Sequence, residues 1–215
     1  MICSGIVFDF NGTLFWDTQL HIEAWMRYCA EHELSLTLDE FYQKIYGKPN
    51  EDIFEILFRG TLSPAEVYEE AEKKEALYRK ICRERGLDLA PGAEEFLNRL
   101  KSIGMPCAIA TASPRTNVDF FYEYARLDRW FRFEDIVYLD GTVSGKPAPD
   151  MYLKAMKIIG RNPEDVLIFE DSPPGIKAAE AANAGRLILV NSEGRDYSAY
   201  PHEVIADFRE VIDRF

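Results

Sequence analysis

Gly5-Ile6-Val7-Phe8-Asp9-Phe10-Asn11-Gly12-Thr13-Leu14 decides the reading of this chain. A short apolar run delivers a carboxylate, and Gly12, three residues later, permits a sharp turn. Such a run is a buried strand, here Gly5 to Phe10, with Asp9 at its C-terminal end. Four similar runs follow: Pro106 to Thr111, Asp135 to Leu139, Val166 to Phe169 and Arg186 to Val190. Helical patterns lie between the later ones, over Ala93 to Ile103, Arg115 to Tyr124, Asp150 to Ile159 and Gly175 to Ala182. This alternation predicts an α/β fold with a doubly wound, Rossmann-like parallel sheet.

Between about Trp16 and Leu89 the pattern changes. Asp17 to Glu31 and Pro64 to Arg85 are helical in period, and no strand pattern intervenes. Gly47-Lys48-Pro49-Asn50 breaks this interval, and Ala90-Pro91-Gly92 marks the return to the core. The expectation is an α/β core from residues 1–15 and 90–215 with a helical cap inserted over 16–89. A chain of 215 residues suits one large core with one satellite.

Hydrophobic residues are 47% and charged residues 29% of the chain, the balance of a globular protein. Lys and Arg number 25 against 37 Asp and Glu, and the net charge of -12 repels a nucleic-acid backbone. An anionic metabolite can still bind where a metal ion and a few basic groups reverse the potential locally. Cys3, Cys29, Cys82 and Cys107 are scattered and form no C-x-x-C pair, which fits a reducing cytoplasm. The N-terminal run lacks the basic region of a signal peptide, and no apolar stretch is long enough to span a membrane. The expected partner is a small molecule, not nucleic acid or membrane.

In open α/β sheets ligands bind at the C-terminal edge of the strands. The topology brings four segments there: Asp9 with its turn, Thr111-Ala112-Ser113, Ser144-Gly145-Lys146-Pro147 and Glu170-Asp171-Ser172. Asp9, Glu170 and Asp171 would repel one another without a cation, and an all-oxygen donor set favours Mg²⁺. Lys146 supplies a second positive charge.

In this order and strand context, Asp9 to Leu14, Thr111, Lys146-Pro147 and Glu170-Asp171-Ser172-x-x-Gly175 resemble the four motifs of the haloacid dehalogenase-like superfamily. His21-Ile22-Glu23-Ala24-Trp25 is similar to the same stretch of its β-phosphoglucomutase and phosphoglycolate phosphatase-like branch. The resemblance spans essentially the whole chain and implies a phosphatase acting on a small phosphate monoester. Asp9 would attack phosphorus and become an aspartyl-phosphate that water hydrolyses. Mg²⁺ would be held by Asp9, the main-chain carbonyl of Asn11, Glu170 and Asp171. Thr111, with main-chain N–H groups of Ala112 and Ser113, would cradle the phosphoryl oxygens, and Lys146 would balance charge. His21 and Asn50 are the expected substrate contacts from the cap.

One residue departs from the pattern. Most phosphatases of the superfamily carry aspartate where this chain has Asn11, and its carboxyl group protonates the leaving oxygen and then deprotonates water. An amide does neither. The change threatens roughly 10²–10⁴-fold of rate, unless the leaving group is good or a residue such as His21 or Asp17 takes over. Alternatives are a phosphomutase of β-phosphoglucomutase type, a catalytically weak phosphate-binding protein and a metal-independent dehalogenase. The mutase branch places a phosphate-gripping arginine where Asn50 stands. His32 and His202 are expected to be structural or exposed, Trp16, Trp25, Phe54 and Phe58 to pack a small core, and Lys73-Lys74 and Arg83-Glu84-Arg85 to form a solvated face.

Overall fold

Strand β1 (Gly5–Phe8) is buried at every position, as a strand covered on both faces must be. The computed structural model describes residues 3–46, 48 and 50–215. Six parallel strands form one sheet in the order β3-β2-β1-β4-β5-β6, where β2 is Cys107–Pro114, β3 Ile136–Leu139, β4 Val166–Glu170, β5 Arg186–Val190 and β6 Glu203–Ile205. Phe8 lies level with Ile109 on one side and Phe169 on the other. The chain leaves β1 in one direction for β2 and β3, then returns to its other side for β4 to β6. That reversal of strand order creates a crevice at the C-terminal ends of β1 and β4.

Alternation along the strands builds a core on each face. On one face Val7, Ala108, Ile168 and Leu189 pack with Met151, Tyr152 and Ala155 of α7 (Asp150–Ile158) and with Ile176 and Ala179 of α8 (Pro173–Ala181). On the other, Phe8 stacks on Phe169 at 5.3 Å between centroids and meets Phe96 of α5 (Ala93–Ser102), Phe131 and Phe208 within 6.4 Å. Each buried phenylalanine contributes about 1.5–3 kcal/mol, so this cluster anchors the strand that carries Asp9.

The five expected strands are present, and a sixth joins them. Strand β6 is a three-residue edge with Val204 exposed, too short to give a pattern. Strand β1 ends at Phe8, two residues before the expected Phe10. Strand β2 runs past Thr111 to Pro114 through an irregular register between Ala110 and Pro114. Helix α6 (Arg115–Tyr124) follows it directly. Helix α8 starts two residues early, because Ser172 caps it by accepting the Gly175 N–H at 3.2 Å and Pro173 fits a first turn that needs no N–H donor.

The chain divides into two compact units, residues 1–16 with 88–215, and residues 17–87. The second contains α1 (Thr18–Glu31), the single turn α2 (Leu38–Glu40) continuing as a π-helical turn over Phe41–Ile45, α3 (Asn50–Phe58) and α4 (Pro64–Arg85). Sequence signals fix α4 at both ends: Ser63 and Glu66 form a capping box, Pro64 opens the first turn, and Gly86 closes it at φ 65°. Trp25, Tyr28, Phe41 and Phe54 form the core of this unit with Phe58 against them, while Trp16 lies in the α/β unit and donates from Nε1 to the Thr13 carbonyl. Of the expected break, Gly47 and Pro49 lie outside the described residues.

One expectation fails here. Lys73 is exposed, as are Arg83, Glu84 and Arg85, but Lys74 is only 2% exposed. Its ammonium donates to Glu75 at 2.7 Å and lies 4.7 Å from the Trp25 ring centroid, so it is a buried ion-pair member. Adjacent lysines on a helix point about 100° apart, and only one of these two faces water. No helix among the described residues is long and apolar enough to cross a membrane.

Candidate active site

Asp9 leaves the end of β1 with its N–H bonded to the Phe169 carbonyl of β4, which holds it at the crevice. The following turn closes through Gly12 N–H to the Phe15 carbonyl at 2.7 Å. Gly12 is required twice over. Its φ is +82°, and a Cβ there would lie 2.3 Å from Asp171 Oδ2. The turn therefore brings main chain against the carboxylate that β4 delivers.

Asp9, Glu170 and Asp171 each offer an oxygen to a group whose members lie within 4.8 Å of one another, and all three are buried. Lys146 donates to Asp9 Oδ1 at 2.5 Å and to Glu170 Oε1 at 2.7 Å. Asp9 Oδ2 is buried and has no hydrogen-bond partner among the described residues. Burial pushes the Asp9 carboxyl up to about 7 against the opposing Lys146 ammonium, with the Glu170 charge adding to the rise. Asp171 is driven well above the usual carboxylate range by burial and by the charges of Glu170 and Asp9. Against the burial that would lower it, the Asp9 and Glu170 carboxylates hold the Lys146 ammonium well above its ordinary range.

Glu170 stands apart from the other two carboxylates. Its Oε1 accepts from Lys146 and from the Tyr152 hydroxyl at 3.1 Å, and its Oε2 accepts from the N–H groups of Asp171 and Ser172 at 2.6 and 2.5 Å. The Ser172 hydroxyl adds a further bond at 3.1 Å. A Cβ at Gly175 would lie 1.5 Å from Glu170 Oε1, so the glycine of that motif makes room for this carboxylate. Both Glu170 oxygens are thus engaged by protein donors.

Asn11 is fixed through its side-chain carbonyl. Oδ1 accepts from the Thr111 hydroxyl at 3.1 Å and the Ser113 hydroxyl at 2.8 Å, and Thr111 Oγ1 accepts the Ser113 N–H at 3.2 Å. Two hydrogen-bonded sets thus stand at the sheet edge, Asn11 with Thr111 and Ser113, which flank Ala112, and Asp9 with Lys146, Glu170 and Asp171. His21 and Asn50 belong to the helical unit. The His21 ring stacks on Tyr78 at 3.9 Å, its Nε2 lies 3.4 Å from Asp17, and Asn50 donates to Glu75 at 3.2 Å. His32 contacts Glu70 at 3.2 Å and His202 contacts Glu180 at 2.8 Å.

Three contributors escaped the sequence reading. Thr13 donates to Asp171 Oδ1 at 3.2 Å. Tyr152 braces Glu170 and lies under Lys146, its ring centroid 4.9 Å from Nζ. Tyr197 is buried and donates from its hydroxyl to the Asp171 main-chain carbonyl. Tyr152 sits in the first turn of the helix opened by Pro147-Ala148-Pro149-Asp150, and that proximity to Lys146 was a usable signal. Tyr197 has none, being in a loop 26 residues beyond its partner.

A model of the haloacid dehalogenase-like hydrolase family matches residues 3–183. The phosphorylated carbohydrates phosphatase of Thermotoga maritima is 28% identical over 96% of this chain and 99% of its own. The beta-phosphoglucomutase of Mycobacterium bovis is 26% identical over 88% of this chain and 81% of its own. A HAD hydrolase of family IA, variant 3, from Entamoeba histolytica superposes with a TM-score of 0.90 at 34% identity, covering 96% of this chain and 94% of that one. The chain belongs to the haloacid dehalogenase-like hydrolase family, in the branch that holds β-phosphoglucomutase and related phosphatases.

Proposed function

We propose that this protein is a Mg²⁺-dependent phosphatase that removes the phosphoryl group from a small phosphorylated metabolite by way of Asp9. The observation that carries this reading is the orphaned Asp9 Oδ2, buried beside Asp171 at the strand edge. An unpaired buried carboxylate oxygen is costly, and a divalent cation between two carboxylates removes that cost. The donor set is all oxygen, which suits Mg²⁺. Asp9 and Asp171 would hold the ion with the Asn11 main-chain carbonyl, and the engaged Glu170 would stand behind them as the anchor of Lys146 and of the Asp171 loop. When bound, the ion supplies charge neutralisation for nucleophile and phosphoryl oxygens.

The protein's own groups do the rest. Lys146 holds Asp9 in one orientation and offsets negative charge on an incoming phosphoryl group. Thr111 and Ser113 fix the side chain of Asn11, and Thr111, Ala112 and Ser113 line the edge that would face phosphoryl oxygens. Residues 17–87 are the helical insertion to which substrate choice is assigned. Relatives that carry phosphatase and mutase names make a phosphomutase the second reading. Its phosphate-gripping arginine is replaced by Asn50, which here bonds Glu75.

The test is phosphate release from a panel of phosphorylated sugars, polyols and acids, with Mg²⁺ and with chelator. The reading expects turnover that requires Mg²⁺ and vanishes in Asp9→Asn. Turnover that survives chelation or Asp9→Asn would overturn it, and sugar-phosphate isomerisation without free phosphate would favour the mutase.

A further inference from the structure

Asp9 is placed to accept a phosphoryl group, yet among the described residues of the α/β unit no side chain two positions beyond it can move the protons that hydrolysis of an ordinary alkyl ester requires. Asn11 cannot do so, and its Oδ1 is occupied by the hydroxyls of Thr111 and Ser113. The Tyr152 hydroxyl is committed to Glu170 Oε1. The three histidines pair with carboxylates, His21 with Asp17, His32 with Glu70 and His202 with Glu180. Asp17 is fully buried in the helical unit, where it accepts from the Tyr78 hydroxyl.

We propose, on the basis of the phosphatase reading above, that the substrates are phosphates whose leaving group departs as a stable anion, acyl or aryl phosphates, and that phosphorylated Asp9 outlives its formation. In the first step an Asp9 oxygen bonds to phosphorus, the bond from phosphorus to the leaving oxygen breaks, and the electron pair leaves on that oxygen. A carboxylate, with a conjugate acid of pKa about 4, or a phenolate at about 10, departs without a proton. An aliphatic alkoxide needs one at that moment. In the second step water bonds to phosphorus, the Asp9–phosphorus linkage breaks, aspartate and inorganic phosphate form, and the water proton passes to solvent unaided. That step is slow for lack of a base, so the acyl phosphate on Asp9 accumulates.

The experiment compares acetyl phosphate, p-nitrophenyl phosphate and glycerol phosphate, each with Mg²⁺, on the parent, Asn11→Asp and Asp9→Asn. Phosphate release is followed together with intact mass and a hydroxylamine-sensitive phosphate mapped to Asp9. The parent is expected to accumulate the phosphorylated form from acetyl phosphate and to cleave glycerol phosphate slowest. Asn11→Asp should raise glycerol phosphate turnover roughly 10²–10⁴-fold and abolish the accumulation. Equal turnover of glycerol phosphate by parent and Asn11→Asp, or acetyl phosphate turnover without accumulation, would overturn the inference and leave the phosphatase reading standing. Neither phosphate release nor labelling of Asp9 in both parent and Asn11→Asp, with all three compounds, would overturn the two together.

Discussion

The two units each bury a knot of charged and polar side chains, and the knots end differently. In the helical unit Lys74 meets Glu75, Glu75 also receives Asn50, Asp17 receives Tyr78, and His21 stacks on Tyr78 beside Asp17. In the α/β unit Lys146, Tyr152, Ser172 and two N–H groups saturate Glu170, while Asp9 keeps one oxygen without a partner and Asp171 is pressed against it. The first knot is a satisfied core network, which holds helices in register. The second leaves one buried carboxylate oxygen unpaired among three that could hold a cation. Buried charge alone therefore does not mark a site; an uncompensated oxygen within a converging set of ligands does.

The largest effect that would sharpen this contrast comes from opening the closed knot. Lys74→Met leaves Glu75 buried without its ammonium and should cost about 3–5 kcal/mol by denaturant titration, with Mg²⁺ affinity unchanged in the protein that remains folded. A loss of Mg²⁺ affinity instead would break the separation of the two knots.

The open knot should announce itself through pH. Asp9 is pushed up to about 7 from 3.8, so between about pH 4 and pH 7 the unfolded chain has released this proton and the folded chain retains it. The metal-free fold then loses stability as pH rises through that window, by up to roughly 4 kcal/mol. Asp9→Asn removes one of the two raised carboxyls and should lessen the slope, to which Asp171 also contributes, and added Mg²⁺ should stabilise the parent most at the upper end. Thermal unfolding at a series of pH values checks both. A metal-free stability that rises across the window would contradict the burial argument.

Gly175→Ala drives a methyl group into the Glu170 carboxylate and should cost about 1–3 kcal/mol, together with the orientation of Lys146. Tyr197→Phe removes one bond to the Asp171 main chain. It should weaken Mg²⁺ binding by roughly tenfold while leaving the metal-free melting temperature nearly unchanged. Calorimetric titration of that variant distinguishes a positioning role from simple packing.

Much of this was legible in the sequence because the motifs sit where strands end. Asp9, Lys146 and Asp171 could be placed from apolar runs and turn residues alone, since a parallel sheet forces strand ends together. What escaped depended on tertiary partners. Lys74 looks like any helical lysine until Glu75 and Trp25 are folded around it, and Tyr197 reaches Asp171 from a loop with no periodicity. The saturation of Glu170 was equally hidden, because its donors include main-chain N–H groups that carry no residue signature.

The most direct test of the central claim is calorimetric titration of Mg²⁺ into the parent, Asp171→Asn and Lys74→Met at neutral pH. The account predicts one site in the parent, none in Asp171→Asn and a retained site in folded Lys74→Met. Binding that persists in Asp171→Asn, or a parent that takes up no Mg²⁺, would contradict it.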